Sequence, residues 1–118
     1  MDCLFCSIAA GDIPATIIDS DDASVAFLDI EPFQDGHTLV IPRNHVTSVL
    51  DDDGELGRIS PMVTKVARRL VDSLGASGVN VVSNAGEVAG QSVHHLHVHI
   101  IPRYDRAGHQ RHSVGHAS

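Results

Sequence analysis

His95, His97 and His99 stand at alternate positions in the run His94-His95-Leu96-His97-Val98-His99-Ile100-Ile101-Pro102-Arg103. In an extended strand successive side chains point to opposite faces, so the three imidazoles share one face and Leu96, Val98 and Ile100 fill the other. At a rise of about 3.3 Å per residue the outer two rings start roughly 13 Å apart, too far for all three to ligate one ion comfortably. The row therefore reads as separate ligands and catalysts. A neutral imidazole is a nucleophile near pH 7, and its attack on a phosphoryl group gives a phosphoramidate that water can cleave. Such chemistry needs one attacker and several donors. Gly90-Gln91-Ser92 stands directly upstream. Glycine there lets the backbone approach an anion, and the Gln91 and Ser92 amides with the Ser92 hydroxyl form a donor cluster that needs no lysine. A monoanionic phosphate ester suits it.

The elements that must carry these residues follow from periodicity and punctuation. Leu4-Phe5-Ile8-Ala9 marks a short helical turn closed by Gly11 and Pro14. Five β-rich runs follow, over residues 15–19, 25–30, 37–41, 79–83 and 96–101, each bounded by turn residues. Asp29 falls at the end of the second, where a carboxylate is presented rather than packed. Leu56, Ile59, Val63, Val66, Ala67, Leu70, Val71 and Leu74 recur as one helical stripe, with Lys65, Arg68, Arg69 and Asp72 facing water and Gly75 ending the helix. Pro61 is expected in the first turn, with Ser60 as N-cap after a short preceding turn. With short turns and one long crossover, the simplest layering is α+β: a five-stranded antiparallel sheet with one main packed helix and a short N-terminal helix. His94 is expected on the packed side of its strand. One domain over residues 1–105 and a mobile tail over 106–118, containing His109, His112 and His116, complete the outline.

Composition excludes several function classes. The 118 residues carry 15 acidic and 8 basic side chains, a formal charge of −7, and no Lys/Arg stripe. That argues against a nucleic-acid polymer as partner. No apolar run is long enough to span a membrane and no basic leader opens the sequence, so a soluble, cytoplasmic protein is expected. Cys3-x-x-Cys6 is too little for a disulfide framework; it is open to reading as two inert buried thiols, a redox pair, or half of a zinc site needing two further donors.

The segment from Gly90 to Ile101 resembles the signature of the histidine triad (HIT) family of nucleotide hydrolases and transferases. The likeness extends to Phe5, to Gly11-Asp12-Ile13-Pro14-Ala15, to Ala26-Phe27-Leu28-Asp29-Ile30, to the block from Gly36 to His45, and to Asn84. It implies that His97 attacks the α-phosphorus of a purine nucleotide or nucleoside phosphate derivative, held in its reactive tautomer by the His95 carbonyl. His99, His37 and Asn84 would contact phosphate oxygens, Ser92 with Gln91 would assist the leaving group, and Asp29 would accept from the ribose hydroxyls. Leu4, Phe5, Ile8, Phe27 and Ile30 would enclose the base. Family members with this cysteine pair imply a structural zinc on Cys3, Cys6, His45 and His95, and no catalytic metal. The resemblance further implies a homodimer whose sheets join across the two helices. Its nearest branch is the nucleoside-phosphoramidase type; diadenosine-polyphosphate hydrolysis, a zinc-stapled nucleotide-binding regulatory protein with vestigial activity, and a metallohydrolase using the histidine row are the rivals.

Overall fold

A computed structural model describes residues 3–105; the expected tail, with His109, His112 and His116, lies outside the described residues. These form α1 (Leu4–Ala10), β1 (Ile17–Ser20), β2 (Ser24–Leu28), β3 (Thr38–Pro42), α2 (Glu55–Leu74), β4 (Gly78–Val82), one 3-10 turn (Glu87–Ala89) and β5 (Val98–Arg103). The strands make one sheet in the order β1-β2-β3-β5-β4, antiparallel at every pairing. The crossover through α2 carries the chain past β5 to β4, which places β5 between β3 and β4. The expected α+β architecture is the one found. No helix among the described residues is long and apolar enough to cross a membrane.

Strand alternation gives the sheet two faces. Ala26, Val40, Val98 and Ile100 point to one, where Ile59, Met62, Val66 and Leu70 of α2 cover them. Val25, Phe27, Leu39 and Ile41 point to the other and meet Cys3, Phe5 and Ile8 at the N-terminus. The register sets His99 opposite Leu39 and Val82, on the same face as α1. That face, which the alternation assigns to chemistry, is roofed by α1, and His95, His97 and His99 are all buried.

Several local expectations are corrected. β5 begins at Val98, so His99 is the only triad member on the ladder; His95 and His97 precede it, and the chain bends at residues 93–95. The bend breaks strict alternation and turns His94 outward, 3.8 Å from Glu87, rather than to the packed side. α2 runs unbroken through Pro61 and starts at Glu55 after Gly54. Asp52 caps it, its carboxylate accepting the Glu55 and Leu56 amides at 2.7 and 2.9 Å, and these donors hold its pKa below the usual carboxylate range. Proline removes the N–H that the Gly57 carbonyl would receive. The Ser60 hydroxyl supplies a substitute donor to that carbonyl at 2.9 Å. Ser60 thus satisfies the helix interior instead of capping it. The buried stripe is also narrower than expected: Met62 is in the core, while Leu56, Val71 and Leu74 are 39–49% exposed.

Candidate active site

The His97 Nδ1–H donates to the His95 carbonyl at 2.7 Å. Because a neutral imidazole has one proton, this leaves the Nε2 lone pair available to the cavity that His97 lines. Two backbone contacts fix the segment. The Ser83 hydroxyl donates to the His97 carbonyl at 2.7 Å, and the Leu96 amide donates to the Val46 carbonyl at 2.7 Å. Ser83 was missed by sequence reasoning; its signal was a hydroxyl at the end of a strand run, immediately before Asn84. Phe5 of α1 sets its edge against the His97 ring, centroids 5.1 Å apart. Burial pushes the His97 pKa below its ordinary value, against the opposing effects of the His95 carbonyl and Asp29.

His99 lies beside His97, ring centroids 5.0 Å apart. Its pKa is lowered to about 3 by burial and by its neighbours His97 and His37. The resemblance implied that His37 touches phosphate, yet both of its ring nitrogens are engaged inside the protein. Nδ1 accepts the Phe33 amide at 3.0 Å, and Nε2 lies 2.9 Å from His99 Nδ1 and 3.5 Å from an Asp29 carboxylate oxygen. Burial, with Arg103 nearby, lowers the His37 pKa although Asp29 opposes the shift. Gly36 is required by the turn that delivers this ring. Its φ is +90°, and a Cβ there would come 2.6 Å from Leu74 Cδ1.

The cavity, of about 280 Å³, is lined by Leu4, Phe5, Ile8, Phe27, Ile30, Asp29, Ser92, His97 and His99 among others. Every apolar residue assigned to a base pocket therefore borders it, with Ile13, Pro14, Leu39 and Val93 added. Ile30 is 91% exposed and stands at the rim rather than in the wall. Gln91, His37 and Asn84 are not lining residues. Gln91 is buried with its amide donating to the Thr47 and Val93 carbonyls and its oxygen accepting the Gly86 amide. It pins the loop that presents Ser92. Asn84 packs behind the same loop: a Cβ on Gly90, φ +101°, would lie 3.4 Å from its Nδ2.

His95 faces away from the cavity into a second cluster. One ligand atom from each of Cys3, Cys6, His45 and His95 lies within 4.8 Å of the others. His95 Nδ1 is 3.3 and 3.5 Å from the two sulfurs and 3.1 Å from His45 Nδ1, which is 3.4 Å from Cys6 Sγ. Donor atoms around a tetrahedral zinc lie about 3.3–3.8 Å apart, so the set fits that ion with little movement. The His95 Nε2–H donates to the Pro42 carbonyl at 2.9 Å, which keeps Nδ1 as the ligating lone pair. Burial and the Cys3 thiol push the Cys6 thiol pKa up; a cation at the centre acts in the opposite sense. This is the donor set of a structural Cys2His2 zinc site. Of the three readings left open by Cys3-x-x-Cys6, the chemistry of the two added histidines selects zinc.

Comparison with known proteins agrees with this geometry. The HIT domain family matches residues 10–106. "Protein hit" of Bacillus subtilis (strain 168) is 47% identical over 105 residues, which cover 88% of this chain and 72% of that protein. Adenosine 5'-monophosphoramidase hnt1 of Schizosaccharomyces pombe is 41% identical over 104 residues, 87% of this chain and 75% of that enzyme. The crystal structure of a Zn-bound histidine triad family protein from Mycobacterium smegmatis matches with a TM-score of 0.84 at 39% identity, covering 92% of this chain and 78% of that one. A chain with this fold, this triad and these relatives belongs to the HIT family of nucleotide-binding hydrolases and transferases.

Proposed function

We propose that the chain hydrolyses nucleoside 5'-phosphoramidates, or closely related nucleotide conjugates, through a covalent nucleotidyl-histidine. The observation that carries this reading is the His97 tautomer: Nδ1–H is bound by the His95 carbonyl, and Nε2 is left as the nucleophile in an apolar, partly enclosed cavity. The likeness to a named monophosphoramidase supports the substrate class. In the first step Nε2 of His97 bonds to phosphorus and the phosphorus–nitrogen bond to the amine breaks. The leaving amine takes a proton from solvent, and Ser92, which borders the cavity, hydrogen-bonds it. Water then attacks phosphorus and gives up a proton to solvent, releasing the nucleoside monophosphate and returning the electron pair to Nε2. Asp29 accepts from the ribose hydroxyls, and Leu4, Phe5, Ile8 and Phe27 take the base, with Ile30 at its edge.

Zinc on Cys3, Cys6, His45 and His95 ties the N-terminus to the residue whose carbonyl holds His97. It supplies structural cross-linking, and the reaction uses only side chains of the cavity. Two unpaired cysteines as ligands suit a reducing compartment such as the cytoplasm. The catalytic domain is residues 1–105.

Acid-free denaturation of enzyme mixed with labelled adenosine 5'-phosphoramidate should trap nucleotide on the wild-type chain and none on His97→Ala. Turnover without any trapped adduct, under conditions where formation outpaces its hydrolysis, overturns the covalent route. Faster cleavage of diadenosine polyphosphates than of phosphoramidates moves the substrate class to the dinucleotides.

A further inference from the structure

We infer that the Phe33 amide and the ring of His37 fix the tautomer of His99, making a neutral His99 an Nε2–H donor to the phosphoryl group beside the Nε2 lone pair of His97. The assignment follows from one hydrogen bond whose polarity is unambiguous. A backbone amide can only donate, so His37 Nδ1, 3.0 Å from the Phe33 nitrogen, must be an acceptor. A neutral imidazole then carries its proton on Nε2. That proton points at His99 Nδ1, 2.9 Å away, which must accept it. His99 is left with its own proton on Nε2. This nitrogen is buried and has no hydrogen-bond partner among the described residues, in a ring that lines the cavity. A buried N–H without a partner is costly, which points to a ligand acceptor at that position.

Two alternatives meet the same amide. Asp29, His37 and His99 offer ligand atoms within 4.8 Å of one another, the spacing of a metal centre. Ligation through His37 Nε2 would move the proton to Nδ1 and set it against the Phe33 N–H, so the trio is a hydrogen-bond chain and not a cation site. The reversed chain, with His99 donating to His37, fails for the same reason. Doubly protonated His37 would also set a proton against that amide, beside the buried guanidinium of Arg103 stacked 4.9 Å from the Phe33 ring centroid. The backbone enforces the arrangement: the His37 amide donates to the Gln34 carbonyl at 3.1 Å, and the Asp29 amide donates to the His37 carbonyl at 3.0 Å.

The two adjacent rings are thus held in opposite tautomers, one offering a lone pair and the other a proton. A neutral donor at position 99 stabilises charge on the phosphoryl oxygens without the field of an imidazolium 5.0 Å from the nucleophile's ring, which would weaken it. His37 is a positioning residue acting through His99. The catalytic part of this inference rests on the proposed nucleotidyl transfer; the tautomers do not.

Long-range proton–nitrogen correlation spectra of the 15N-labelled, zinc-loaded full chain at pH 7 read the tautomers directly. Expected are Nε2–H for His37 and His99 and Nδ1–H for His97. His37→Gln places an amide N–H near the position of the lost Nε2–H, and should keep the His99 tautomer and kcat within about threefold. His37→Leu fills the space without a donor; His99 should lose its single-tautomer pattern and kcat should fall about 100-fold, the size of effect seen when one such donor is lost, with KM little changed. Wild-type His99 carrying its proton on Nδ1, or a Leu variant that retains both tautomer and turnover, overturns the relay. A His97 adduct formed with His99 in the other tautomer sinks the relay alone. The expected tautomers with no adduct sink the hydrolase reading and, with it, the catalytic role of the donor.

Discussion

At the scale of single residues, burial is what turns a row of histidines into a set of distinct chemical groups. His95, His97 and His99 share a sequence pattern, yet one turns to sulfur ligands, one holds a free lone pair and one pairs with His37. Burial lowers the pKa of all three, so they stay neutral below the ordinary histidine value. Between pH 6.5 and about 3 the unfolded chain binds a proton at His99 that the folded chain refuses. Folding stability contributed there is complete above pH 6.5 and is lost as pH falls toward the folded value. Urea unfolding at pH 7.5, 6 and 5 should show a falling midpoint, and replacing His99 by Asn should flatten the trend. The same direction of shift at His97 predicts that kcat/KM holds level from pH 8 to about 6.5 and declines only below it, since the imidazolium cannot attack. A decline already complete at pH 7 contradicts a lowered nucleophile pKa.

The elements show which local signals were readable. Alternation correctly assigned Val98 and Ile100 to one face and His99 to the other, because β5 is a regular strand from Val98 onward. It failed at His94 because a bend has no period. α1 is short, and its N-cap is Cys3, whose sulfur accepts the Cys6 amide at 3.4 Å. A helix of 7 residues is marginal by itself, so its attachment depends on packing of Phe5 and Ile8 and on the zinc set. Cys3→Ser with Cys6→Ser should remove bound zinc, measured by metal analysis, and lower Tm by several degrees. The larger loss should be in nucleotide affinity, because Leu4, Phe5 and Ile8 leave the cavity wall together. In α2, Pro61 is exposed and sits in mid-helix, where proline costs ~3 kcal/mol less a part returned through the stiffer unfolded chain. Pro61→Ala should therefore stabilise the protein by about 1–2 kcal/mol in denaturant titration.

For the whole molecule, an apolar surface remains after the core is closed. Leu56, Val71 and Leu74 on α2 are 39–49% exposed, and Val81 on the edge strand β4 is 52% exposed. Sequence periodicity counted the three helix residues as core, as they are apolar and lie at helical spacing. Nothing among the described residues buries them, which is the condition expected of a face covered by a second copy. We propose pairing through α2 and the β4 edge for the homodimer that the resemblance implies. Sedimentation should give a dimer for the wild type and a shift to monomer for Val71→Asp with Leu74→Asp, with the zinc content unchanged. A wild-type chain that sediments as a monomer at working concentration removes the dimer from the proposal.

The sequence by itself determined the fold class, the alternation that separates Val98 and Ile100 from His99, and the residue types able to ligate zinc and attack phosphorus. These depend on local periodicity and on intrinsic side-chain chemistry, both of which are written along the chain. Tertiary structure decided which proton sits on which ring, that His37 stands behind His99, that Gln91 braces a loop, and that Ser83 holds the His97 backbone. Such outcomes depend on distances between residues tens of positions apart and on water being excluded by α1, and neither quantity exists until the chain has closed on itself.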